Sequence, residues 1–86
     1  MKNTIANTLI ANYGFEARPD HLFAGRGSWL VCGETIKVSF AGEMITVRHA
    51  EWSWDQYGDC EYDRTTVVTC HPSRLWENLP EWVLKR

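Results

Sequence analysis

The stretch from Glu34 to Cys70 leaves this chain little freedom in its fold, because two turn signals inside it fix the register of three strands together. Ile36, Val38 and Phe40 alternate with Lys37 and Ser39, the period of a half-buried strand. Ala41-Gly42 supplies the positive φ that a tight hairpin needs. A turn there sets Val38 opposite Ile45, Ile36 opposite Val47 and Glu34 opposite His49. A second turn at Tyr57-Gly58 sets Val47 against Val68, Ile45 against Cys70, Thr46 against Thr69 and Glu51 against Arg64. Ile36, Val38, Ile45, Val47, Val68 and Cys70 then share one face, and a slip of one residue would scatter them.

The rest of the chain reads as cover for that sheet. With 86 residues there is room for a single domain, 1–86, with one modest core. The five tryptophans, three tyrosines and three phenylalanines let so small a core bury more area per residue. Ile5, Ala6, Leu9, Ile10 and Tyr13 recur at helical spacing, which predicts an amphipathic helix over 3–13, capped by Asn3 or Thr4 and ended by Gly14. Pro19, Gly25 and Gly27 mark 15–28 as a connection, anchored to the core by Phe15, Leu22 and Phe23. Gly25-Arg26-Gly27-Ser28 has the residue types of an anion nest, but the wider phosphate-loop pattern is absent and a flexible turn is the expectation.

Trp29-Leu30-Val31-Cys32 reads as a strand that joins the next through a bulge or bend at Gly33. In a regular central strand Trp52 and Trp54 point away from the core face, forming a second apolar patch with Trp29 and Val31. Ser73 is positioned to cap a helical turn carrying Leu75, Trp76 and Leu79. Pro80 then interrupts it, and Trp82, Val83 and Leu84 follow. This tail is expected to cover the second patch. The fold class is therefore α+β: an N-terminal amphipathic helix packed on a three- to four-stranded antiparallel β-sheet (a meander), with short C-terminal helical turns.

Chemistry is less legible. A net charge of −2 argues against nonspecific duplex binding. There is no apolar run of membrane-spanning length and no signal-peptide pattern. Three widely spaced cysteines suit neither a disulfide framework nor a zinc site, so three free thiols in a cytoplasmic protein are expected. Cys32, Cys60, Cys70, His21, His49 and His71 supply zinc-ligand types without zinc spacing; a small zinc-binding protein is an alternative, and no cofactor or metal is the expectation. A Cys70/His49 nucleophile pair lacks every acylation signature, so the chain is not expected to be an enzyme.

The strongest functional signal lies in 51–63. Glu51, Asp55, Asp59, Glu61 and Asp63 occur there without a lysine or arginine, interleaved with Trp52, Trp54, Tyr57 and Tyr62. Aromatic anchors among acids suit a basic protein surface, including one that ordinarily binds nucleic acid. The order of the acids does not match a calcium loop. The plainer account is a solvated hairpin whose charges discourage edge aggregation. The expected function is thus a small cytoplasmic binding protein, an inhibitor where it mimics nucleic acid, with Glu51, Trp52, Trp54, Asp55, Tyr57, Asp59, Glu61 and Asp63 meeting the partner. The alternative is a single-stranded nucleic-acid-binding module that uses Lys37, Arg48 and tryptophans on the outer sheet face. The sequence specifies neither the partner's identity nor the oligomeric state.

Overall fold

A computed structural model describes residues 2–27 and 32–85 and shows an α+β architecture. The helix α1 (Lys2–Tyr13) leads into β1 (Glu16–Arg18), β2 (His21–Arg26), β3 (Glu34–Ala41), β4 (Met44–Trp54) and β5 (Cys60–Cys70). A 3₁₀ turn (Pro72–Arg74) and two single-turn helices, α2 (Leu75–Asn78) and α3 (Glu81–Leu84), complete the chain. The described strands form one antiparallel meander in sequence order, five rather than three to four.

The added strands are β1 and β2, which lie in the segment expected to be a connection. Pro19 and Asp20 make the turn between them, with Asp20 at φ 68°, a left-handed conformation that aspartate tolerates. Leu22 and Ala24 face the core while His21 and Phe23 face the other way, so Phe23 is not a core anchor; Arg18 lies over its ring instead. Gly25 and Arg26 belong to β2. Ser28, Trp29 and Val31, and with them the strand expected before Cys32, lie outside the described residues.

The β4–β5 register is the expected one: Ile45, Thr46, Val47 and Glu51 oppose Cys70, Thr69, Val68 and Arg64. The β3–β4 turn sits one residue later than expected, on Gly42-Glu43, with Gly42 at φ 61°. Moving the turn by one residue moves every pairing by two, which keeps each side chain on its face and changes only its partner. Val38 therefore opposes Val47, Ile36 opposes His49, and Glu34 opposes Glu51.

Both helical segments cover the same face. Leu9 from α1 and Leu75, Leu79 and Val83 from the C-terminal segment share one core with Leu22, Ala24, Ile36, Val38, Ile45 and Val47. The tail thus covers the main core face and not a second patch. Trp76 and Trp82 pack against this core, with Trp76 5.5 Å from the Tyr13 ring. Ile10 is 42% exposed, outside the buried stripe. The helix starts at Lys2, so Asn3 and Thr4 lie within it rather than at its cap, while Gly14 at φ 70° ends it as expected. At the C-terminal 3₁₀ turn the cap is His71, whose Nδ1 accepts from the Ser73 amide, and not Ser73 itself.

Cys32 and Cys60 form a disulfide with Cα atoms 5.8 Å apart; only Cys70 is a free thiol, buried in the sheet. The expectation of three free thiols fails for a geometric reason. Cys32 precedes β3 and Cys60 opens β5, with β4 between them, and two flat strand spacings would separate them by about 9.6 Å. A bulge between Glu51 and Trp52 breaks the flat geometry, and bulges bend a strand and tighten its twist. The cytoplasmic expectation leaned on unpaired cysteines and loses that support. Among the described residues, no helix is long and apolar enough to cross a membrane.

Candidate functional site

The half of β4 and β5 beyond the bulge carries the acidic aromatic segment. Trp54 opposes Cys60, Ser53 opposes Glu61, and residues 55–59 close the hairpin. The closure is built by one carboxylate: Asp55 Oδ1 accepts from the amides of Tyr57 at 2.8 Å and Asp59 at 2.9 Å. Asp55 N–H donates to the Asp59 carbonyl at 2.8 Å, and Gly58, at φ 84°, makes the reversal. Aspartate bonding backbone two residues on is the usual chemistry of such turns. Tyr57 is carried at the apex, 80% exposed, and Trp54 is 42% exposed.

The eight expected site residues therefore divide by role. Asp55 holds the turn. Glu51 is half-buried and bound by Arg64, whose Nε donates to Oε2 at 2.7 Å. Trp52 is half-buried, its amide donating to the Gly33 carbonyl at 2.9 Å. Tyr57, Trp54, Asp59, Glu61 and Asp63 are exposed, and these five form the outward surface of the tip.

Below the tip, charges cross the sheet in a row. Arg26 of β2 opposes Glu34 of β3, Glu34 opposes Glu51 of β4, and Glu51 opposes Arg64 of β5. Arg26 Nε donates to Glu34 Oε2 at 3.2 Å, and its guanidinium lies 4.9 Å from the centre of the Trp82 ring. His49, two residues before Glu51 and on the same face, places Nε2 3.4 Å from Glu34 Oε1. One ligand-type atom from each of Glu34, His49 and Glu51 lies within 4.8 Å of the others. An open depression of about 610 Å³ adjoins them, lined by Trp52, Asp63 and Cys32 among others.

The outer face has a different character. Lys37 and Arg48 are direct cross-strand partners there, near exposed Val67 and the Thr46–Thr69 hydroxyl pair at 3.2 Å. No hairpin acid is opposite either cation in the register.

Comparison with family models, with curated proteins and with solved structures finds no match to this chain. The site rests on geometry alone. The sequence located the exposed tip but missed the Glu34–His49–Glu51 group. Its signal was the parity that puts the three positions on one face in either register; only the direct opposition of Glu34 and Glu51 needs the turn on Gly42-Glu43. Of the six ligand types counted for the cysteine–histidine zinc alternative, Cys32 and Cys60 are bonded to each other, and Cys70 with the three histidines remain.

Proposed function

We propose that this is a binding protein that docks on a basic protein surface through the tip of the β4–β5 hairpin, and that it inhibits where that surface ordinarily takes nucleic acid. The observation that carries the reading is an aromatic apex, Tyr57 at 80% exposure, held on a hairpin closed by Asp55 and rimmed by the exposed acids Asp59, Glu61 and Asp63. A large exposed ring on a backbone already fixed loses little freedom on docking, which favours affinity. The acids steer a basic partner and set the salt dependence of encounter. Trp54 extends the contact to one side.

The test changes charge and keeps shape. Asp59→Asn, Glu61→Gln and Asp63→Asn together spare the Asp55 turn. Partners cross-linked to the wild-type chain at low salt and lost from this variant and from Tyr57→Ala support the reading; an unchanged set sinks it. The second reading, a single-stranded nucleic-acid module, is favoured by one observation: Lys37 and Arg48 side by side on the outer sheet face. It predicts that the same triple variant binds an oligonucleotide more tightly, because repulsion falls. Fluorescence anisotropy with a labelled single strand separates the two.

A further inference from the structure

We propose that Glu34, His49 and Glu51 form a site for one divalent transition-metal ion, with zinc the best-fitting member of the class. Three features of the geometry carry it. The first is placement. Glu34 and Glu51 are direct partners across β3 and β4, and His49 shares their face, so three donors converge from two adjacent strands. Two carboxylates directly opposite each other repel, and a cation between them reverses that cost.

The second feature is spacing. His49 Nε2 and Glu34 Oε1 are 3.4 Å apart. Ligands bound at 2.0–2.1 Å around a tetrahedral zinc are about 3.3–3.4 Å from one another, so this edge is already formed. The three ligand atoms lie within 4.8 Å of one another, so the remaining edges shorten by at most about 1.4 Å to reach the same spacing.

The third is the state of the donor atoms. His49 Nε2 is buried and has no hydrogen-bond partner among the described residues. A buried polar atom left unsatisfied is costly, and metal ligation would satisfy it. Arg26 and Arg64 each grip Oε2 of their glutamate, fixing the carboxylates from outside as outer-shell donors do in metal centres.

The donor set selects the ion. An imidazole with two carboxylates suits zinc and its first-row neighbours, whereas calcium takes 6–8 oxygens and three protein donors are too few. Three protein ligands leave a fourth position open, and the depression bordered by Trp52 and Asp63 has room for water or a small ligand there. The two guanidiniums oppose the incoming charge, so affinity should fall well below that of thiolate-rich structural sites. Its three ligands are not among the exposed residues of the tip, although Asp63 borders both, and the site does not depend on the docking role proposed for the tip.

Isothermal titration of the metal-free chain, residues 1–86, with zinc chloride is the test. One saturable ion per chain is expected, with affinity reduced about tenfold or more in His49→Ala and in Glu34→Gln, since ligands matter at least as much as outer-shell groups. His21→Ala and His71→Ala should bind as the wild type does. Because a variant can fail to fold, histidine ring resonances of the wild-type chain are followed by NMR during the same titration. Zinc should shift His49 and leave His21 and His71 in place. No saturable uptake, or uptake that shifts His21 or His71 while His49 stays unmoved, overturns the site.

Discussion

The β3–β4 hairpin closes through the two residues Gly42-Glu43 between paired strands, whereas the β4–β5 hairpin closes over a carboxylate, follows a bulge and carries a disulfide. Both use β4, yet they are held differently. Ile36, Val38, Ile45 and Val47 lie under α1, α2 and α3, so hydrophobic burial orders the first hairpin. Among the described residues from Trp52 to Asp63 none belongs to the core, and local polar bonds with a cross-link order the second. Cavities should therefore damage the first half, and reduction the second.

The largest effect should come from the covered half. Ile45 is 1% exposed, and Ile45→Ala should cost about 2–5 kcal/mol, the range for truncating a core isoleucine. Tyr57→Ala at the apex should stay within about 0.5 kcal/mol, as surface changes do. Urea denaturation measures both, and comparable costs would break the comparison.

Next comes the cross-link. Cys32 and Cys60 are separated by 28 residues, and removing a closure of that length costs about 3–4 kcal/mol in the chain-entropy account. Reduction should lower the denaturation midpoint and raise amide exchange in 53–60 before it affects the β3–β4 amides. Uniform loss of protection would mean that the two halves are one cooperative unit.

The same division explains what the sequence disclosed. Alternation of Ile36, Val38, Ile45 and Val47 exposed the core face because burial acts on side-chain type, which sequence records directly. The β4–β5 register followed from Gly58 and from paired apolar positions. β1 and β2 stayed hidden because Glu-Ala-Arg is exposed at every position, and Leu22 and Ala24 alternate with Phe23, which is also apolar. The disulfide depends on a bulge, and the direct Glu34–Glu51 opposition on a turn shifted by one residue; neither leaves a local trace. Tyr57 and the acids of the tip were legible, since an exposed aromatic among charges is a compositional signal. The separate role of Asp55 was not.

A smaller effect tests how the two halves join. A Cβ on Gly33 would clash with the Arg26 carbonyl oxygen, where backbone must move. Gly33→Ala should cost about 1–3 kcal/mol, in line with overpacking, and should loosen the Arg26–Glu34 contact beside it. Urea denaturation gives the cost, and the zinc titration reads the local consequence. An unchanged midpoint would show that β2 and β3 separate freely at this end.

The smallest expected effect concerns the row Arg26, Glu34, Glu51, Arg64, and here the sign matters more than the size. Arg64 is largely exposed, so solvent screens its bond to Glu51, and Arg64→Ala should cost less than about 1 kcal/mol. Glu51→Gln alone should also be mildly destabilising, because it weakens that pair. In the Arg64→Ala background the same change should become neutral or stabilising. Glu51 then faces Glu34 with no compensating cation on its other side, and like charges directly opposite each other repel. A double-mutant cycle in low salt reads this as a coupling of a few tenths of a kcal/mol or more, shrinking as salt is added. If Glu51→Gln costs the same in both backgrounds, the row is a geometric alignment without energetic linkage. The boundary between the two halves would then be set by the bulge and the disulfide alone.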